Sequence, residues 1–443
     1  MTESARRKRA TYHLCTFTLS KLISSFGSSV YAFGLSLFIL SLTGSAASFA
    51  INLICSILPR TVLAPVAGFA ADRYSKKMLV ILGQAGSMTA VTGLLLYSLT
   101  NGLSLQAVYI TTVFVSIGSM FASVTFSSSI ANLIDPDRIQ RATAFNQSAV
   151  SLASIGGPVI GGVLFGFVSM EIFLLIQAGA YLTAVLLEST MDFRLYTARQ
   201  EKIAEEQERM LQSLQKGWAY MRRNRTISVI VTAAVGINFF FSATQVGLAF
   251  IVVEELGISS TNYGLIEAMI FAGMLLASVY FSVRKEVEFP LIYSKRGILV
   301  MSVLLAGIGI PLVLSFGGTA AIVYYLVLML CFGAATVCIN TPIGVMLQKD
   351  VEEAYRGRIF GLLESMAMAM MPLGMLVFGL LFDAVPAEWV VIGSAACLIA
   401  LTGFLMRPSV IQQVYPEKKV VPRTLEREAG GEEARKKGIS AHF

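Results

Sequence analysis

An all-α membrane protein, with twelve transmembrane helices in two pseudo-symmetric six-helix bundles, is predicted by three observations. Only 14% of the 443 residues are charged and 55% are hydrophobic, with a mean hydropathy of +0.71, whereas soluble domains carry about a quarter charged residues. Long apolar runs follow one another across short breaks, and each is long enough to supply the roughly 20 residues that cross a hydrocarbon core about 30 Å thick. Lys and Arg occur in alternate breaks only, which is how cytoplasmic loops are marked.

Taken in order, the spans fall near residues 14–42, 46–71, 77–100, 105–134, 143–169, 172–190, 226–253, 261–283, 296–316, 319–347, 358–382 and 387–406. The breaks at 43–45, 101–103, 169–171, 254–262, 317–319 and 383–388 hold no Lys or Arg. Those between them hold Arg73, Lys76 and Lys77; Arg138 and Arg141; Arg284 through Arg296; and Lys349, Arg356 and Arg358. This alternation places both termini in the cytoplasm and the chain in the inner membrane. The basic start, Arg6 to Arg9, precedes an apolar run too long for the core of a cleaved secretory signal, so that run reads as a first span.

Residues 1–190 are expected to form the first bundle and 226–406 the second. Residues 191–225 would be a cytoplasmic linker with an amphipathic helix, because Ile203, Met210, Leu211, Leu214, Trp218 and Met221 recur at helical spacing. That helix is open to two readings, lying on the membrane face or packing against the bundle. The polar, mixed-charge tail at 407–443 has the composition of a disordered segment. A weak internal repeat supports the two halves. In each, a charged cytoplasmic stretch (Ile134 to Arg138, Lys349 to Glu353) leads into a span with an interior proline, Pro158 or Pro372. Many secondary transporters are built by such duplication.

Several functions are excluded or unsupported. The five cysteines all lie inside apolar runs without metal-ligand spacing, and the histidines, His13 and His442, sit near the chain ends, so neither a metal site nor a cofactor is expected. No phosphate-binding loop of the Gly-x-x-x-x-Gly-Lys-Ser/Thr type occurs. No catalytic cluster of an enzyme is visible. The net charge of +7 follows from cation-bearing loops facing anionic lipid rather than from nucleic-acid binding.

Charged residues inside spans are functional candidates. Arg60 follows Pro59 about midway through span 2, and Glu364 lies about seven residues into span 11. Both are roughly 10 Å deep at about 1.5 Å per residue. Glu267, near the outer end of span 8, is a second protonatable group, or else a rim residue in contact with water. Lys21 in span 1 lies near enough to the cytoplasm to snorkel. Span 5 carries Gly156-Gly157-Pro158-Val159-Ile160-Gly161-Gly162, in which small residues allow close helix crossing and the proline bends the span.

Gly68-Phe69-Ala70-Ala71-Asp72-Arg73-Tyr74-Ser75-Lys76-Lys77 sets a carboxylate among cations in a short loop, and a loop that only anchored topology would need no carboxylate. The pattern Gly-x-x-x-Asp-Arg-x-x-Lys-Lys resembles the loop between spans 2 and 3 of the major facilitator superfamily, with Ser75 where a Gly is usual. The Gly157-Pro158 to Gly161-Gly162 run resembles a motif of exporters in that superfamily. Leu58-Pro59-Arg60, Gln140-Arg141-Ala142, Asn146-Gln147 and Tyr355-Arg356-Gly357-Arg358 resemble its branch of macrolide-efflux proteins and the enterobactin exporter.

The resemblance implies that Gly68, Asp72, Arg73, Lys76 and Lys77 latch the halves on the cytoplasmic side. It also implies that spans 2 and 11 face each other, so that Arg60 and Glu364 could pair in one state and part in another; pairing of Arg60 within its own half is the other reading. The implied activity is export of small hydrophobic or amphipathic molecules by proton antiport, by a monomer whose partners are substrate, protons and lipid. An uptake carrier or lipid flippase of the same fold, and a non-transporting membrane sensor, are the rival readings. The loop at Arg284 to Arg296 lacks the latch pattern.

Overall fold

The computed structural model describes residues 3–193, 195–196, 224–351 and 353–415. Among them, 12 helices are long and apolar enough to cross a membrane. These are α1 Glu3–Thr43, α2 Ala46–Arg73, α3 Lys76–Asn101, α4 Leu105–Ser128, α5 Ile139–Phe167 and α6 Met170–Ser189 in the first half. The second half holds α7 Arg225–Ala249, α8 Ser260–Val283, α9 Pro290–Gly307, α10 Gly318–Asp350, α11 Glu353–Ala384 and α12 Ala387–Leu405. Helix α7 runs on through a π-helical turn at Phe250–Glu255.

Local chemistry sets the helix starts. Ser45, Ser75, Ser104, Ser169 and Ser259 each precede a helix and accept a hydrogen bond from a first-turn N–H, which satisfies a donor that has no partner within the helix. Two turns at corresponding places in the halves, before α2 and before α8, need left-handed backbone. Both use glycine, Gly44 at φ 58° and Gly257 at φ 62°. The lipid-facing surface is covered by exposed apolar side chains such as Leu99, Phe114, Leu175, Val303, Val327 and Trp389, a surface that only a bilayer can cover.

Some boundaries differ from the sequence expectation. Span 4 ends at Ser128 and is followed by a separate turn, Ile130–Leu133. Span 9 begins earlier, at Pro290, and breaks near Gly307 before a short turn, Ile310–Val313; Pro311 at the first turn of that piece has no N–H to continue the preceding ladder. The tail expected to be disordered from 407 opens instead with the helix Pro408–Val414, whose Val410 and Ile411 are buried. The Tyr415 hydroxyl accepts from Leu291 N–H at 3.1 Å and so ties that tail to α9. The amphipathic part of the expected linker, 203–221, and the tail beyond 415 lie outside the described residues.

The halves meet at the end whose loops lack cations. There Asp383, at the end of α11, accepts from Ser45 Oγ and Ala46 N, each at 2.6 Å, and from Ala47 N at 3.2 Å. A carboxylate of one half thus caps the N-terminus of α2 in the other. Gly379 packs on Ala47 and Ala50, where an added Cβ would come within 2.9 Å of Ala47 Cα. The largest apolar core cluster bridges the halves through Leu37, Leu40, Phe49, Val246, Phe250 and Phe382. Every hydrogen bond joining the halves among the described residues lies at this end.

Candidate functional site

All six helices of the first half line a polar cavity of about 260 Å³, α5 through Val150, Ala153 and Ser154. Lys21 comes from α1, Arg60 from α2, Gln84 from α3, Ser119 and Ser123 from α4, and Glu188 from α6. Lys21 and Glu188 are 4% and 1% exposed, a burial that charged groups tolerate only when partnered. Partners are present. Lys21 Nζ donates to Ser123 Oγ at 2.9 Å, while Glu188 Oε1 accepts from Ser20 Oγ at 2.7 Å and from Gln84 Nε2 at 3.3 Å. Lys21 and Glu188 attract one another across the cavity, and Arg60 is close enough to repel Lys21. The second carboxylate oxygen of Glu188 is buried without a hydrogen-bond partner among the described residues.

Arg60 also lines a second space of about 390 Å³, shared with Tyr31, Ser116 and Met368, the last from α11 of the other half. Beside it runs a buried polar chain in which Thr112 Oγ1 donates to Asn52 Oδ1 and Asn52 Nδ2 donates to Ser36 Oγ, both at 2.9 Å. The corresponding cavity of the second half, about 320 Å³, is lined mainly by Ile230, Ile298, Met301 and Ile343. Three of its four polar side chains bond to backbone of the same half, Thr336 to Phe332 O at 3.0 Å among them. Asn238 donates to Ala234 O at 2.9 Å and Ser294 to Ile339 O at 2.9 Å.

The residues singled out from sequence fall at three places. Gly157, Pro158, Gly161 and Gly162 sit at a junction of α1, α5 and α8. A Cβ on Gly161 would meet Phe33 at 2.9 Å, and Gly264 of α8 packs on the Pro158 carbonyl group. Glu267 lies beside this junction against the Tyr263 hydroxyl, and Tyr263 stacks on Phe33 with centroids 5.4 Å apart. Its Oε2 is buried without a hydrogen-bond partner among the described residues, unlike a water-washed rim residue. At the basic end, Lys76 Nζ donates to Ser128 O at 3.0 Å and Lys77 Nζ to Ser189 O at 2.6 Å, both within the first half. Arg73 is exposed over the Phe69 ring, and nothing lies within 4 Å of a Cβ placed on Gly68. The backbone of Asp72 lies in the last turn of α2.

Arg60 and Glu364 do not form an ion pair in this conformation; both are exposed, Glu364 on α11 and Arg60 at the edge of the first-half cavity. Lys21 corrects the snorkelling expectation, because its ammonium is buried and held by Ser123. Glu188 was not singled out from sequence at all. It stands at the end of its apolar run next to polar Ser189 and Thr190, where a carboxylate reads as a rim group. The missing signal is three-dimensional: Ser20 on α1 and Gln84 on α3 converge on it.

Residues 17–375 match the Major Facilitator Superfamily. The chain belongs to that superfamily. A curated relative, "Uncharacterized MFS-type transporter YfiS" of Bacillus subtilis, is 28% identical over 404 residues, covering 88% of this chain and 92% of that one. "Macrolide efflux protein A" of Streptococcus pyogenes is 19% identical over 374 residues, covering 84% and 89%. Among solved structures, a bacterial homologue of the iron transporter ferroportin superposes with a TM-score of 0.65 at 15% identity, over 89% of this chain and 98% of that one. The last similarity concerns the fold. This major facilitator chain is thus a multi-pass membrane transporter, a family whose members are not enzymes.

Proposed function

We propose that this transporter exports small hydrophobic or amphipathic molecules in exchange for protons, by rocking of its two halves about the central cavities. The basic end faces the cytoplasm on this reading, in keeping with the alternation of Lys and Arg along the loops, and both termini lie there. The observation that carries the proposal is that the hydrogen bonds joining the halves among the described residues all lie at one end, above a cavity that holds two cations and a carboxylate. Such a cavity would be reached from the cytoplasm in this state and from outside once the Asp383 contact and the α5/α8 junction part. The similarity to an efflux protein over most of both chains supports the outward direction.

Glu188 is the foremost proton carrier in this reading, since a proton on it changes the charge of the cavity itself; Glu267 would couple protonation to the outer seal and Glu364 to the inner approach of α11. The loop from Gly68 to Lys77 would latch the basic ends when they close, with Asp72, Arg73, Lys76 and Lys77 exchanging their own-half contacts for ones across the gap. Gly157, Pro158, Gly161 and Gly162 would form the outer hinge of the seal. The test is accumulation of fluorescent lipophilic compounds in cells lacking endogenous pumps, with and without a proton uncoupler. Lower accumulation that the uncoupler reverses is the expected result; higher accumulation on expression would mean uptake.

A further inference from the structure

Resting on that reading, we infer that the substrates include amphipathic organic acids, whose carboxylate, sulfonate or phosphate group is bound by Arg60 in the first-half cavity. Three features point there. The charged groups of the cavity are Lys21, Arg60 and Glu188, so one positive charge stays unbalanced when Glu188 is ionised and two when it is protonated. Glu188 is already engaged by Ser20 and Gln84 and lies near Lys21, whereas the exposed Arg60 has no ion pair among the described residues. A guanidinium offers five donors in a planar fork that matches an oxyanion.

The surroundings extend the argument. Ser24, Ser25, Ser28 and Ser119 add hydroxyl donors to the same cavity, and such a donor-rich wall suits a ligand with several acceptor oxygens. A ligand ammonium would meet Arg60 and Lys21 as like charges. Arg60 stands where this cavity borders the second space, which Ile57 and Val115 line and Met368 of α11 closes from the other half. An acid head held by Arg60 can therefore lay its apolar body toward α11, with the polarizable Met368 thioether as an adaptable contact. Arg60 thus carries specificity, and its counter-charge arrives with the substrate rather than from Glu364.

The test is equilibrium binding to the purified full-length protein in detergent, followed by intrinsic Trp and Tyr fluorescence. The probes are three compounds on one aryl-alkyl skeleton ending in a carboxylate, its methyl ester or an ammonium. The carboxylate is expected to bind roughly tenfold or more tightly than the ester, the size of a charge-assisted hydrogen bond, and the ammonium more weakly than either. Arg60→Gln should remove the carboxylate preference over the ester, and Arg60→Lys should restore part of it. Equal binding of acid and ester by the unaltered protein, or a preference that survives Arg60→Gln, would overturn the inference. Because the unaltered protein is compared across three ligands, a variant that fails to fold leaves the decision intact. Binding is read without transport, so a preference without proton-dependent efflux sinks the export reading alone, and efflux without a preference sinks this one alone.

Discussion

The two halves share a scaffold and differ in what they put inside it. Both turn at glycines of positive φ before their second helix, and both enclose a cavity of a few hundred Å³, about 260 Å³ in one and 320 Å³ in the other. The first half fills that space with Lys21, Arg60, Glu188, Gln84 and serine hydroxyls. The second lines it with Ile230, Ile298, Met301 and Phe241, and its Asn238 and Ser294 turn back to their own backbone. The helices are alike, while the charged side chains that line these two cavities belong to the first half. In a rocking pair this is a division of labour, one half carrying the charge-dependent steps and the other offering an apolar wall of low directional demand.

The most severe way to break this asymmetry is to neutralise the charged half. Glu188→Gln keeps shape and hydrogen-bonding capacity but cannot exchange a proton. It is expected to abolish uncoupler-sensitive efflux, by about a hundredfold, if the charged half carries the coupling, at unchanged surface expression. Efflux at the unaltered level would remove Glu188 from the coupling step. The matching change in the other half, Asn340→Ala, removes a polar group from an apolar wall and should alter efflux of the same compound by no more than about threefold, within the usual effect of a surface-like substitution. A loss as large as that of Glu188→Gln would erase the distinction between the halves.

A smaller effect is expected at the seal. Asp383→Ala leaves the first-turn N–H groups of α2 without their cap, a change worth about 1 kcal/mol, or roughly fivefold in the ratio of the two conformations. Spin labels on the loops at 43–45 and 254–262 should report a larger fraction of wide distances in that variant. The smallest effect is predicted at Gly68, where an added Cβ meets nothing within 4 Å. Gly68→Ala should leave the detergent melting temperature unchanged in this conformation, while slowing efflux severalfold if the loop must approach the other half to close. Unchanged efflux would reduce the loop to a topological anchor.

Much of the architecture was legible in the residues. Apolar runs near 20 residues read as lipid-crossing helices, and cations confined to alternate breaks order them, so the twelve spans follow from local features of length and charge. Boundaries were less legible where the helix outruns the bilayer, as in α1 from Glu3, or where Pro311 breaks span 9. Arg60 was visible as a charge too deep to ignore, yet its neighbours were not, because the groups that surround it come from α1, α3, α4 and α6. Glu188 and Lys21 were masked by position. Each stands near a span end, and only the inward tilt of its side chain onto Ser20, Gln84 or Ser123 separates a buried charge from a snorkelling one.

The most direct test of alternating exposure uses Ser119→Cys, a cavity position beside Arg60, in a variant from which Cys15, Cys55, Cys331, Cys338 and Cys397 have been removed. A membrane-impermeant thiol reagent should modify it faster from the basic side when no gradient is applied, and Asp383→Ala should raise the rate from the opposite side about fivefold relative to the basic side. A ratio of the two rates that Asp383→Ala leaves unchanged would contradict an account in which two unlike halves take turns opening around the charged cavity.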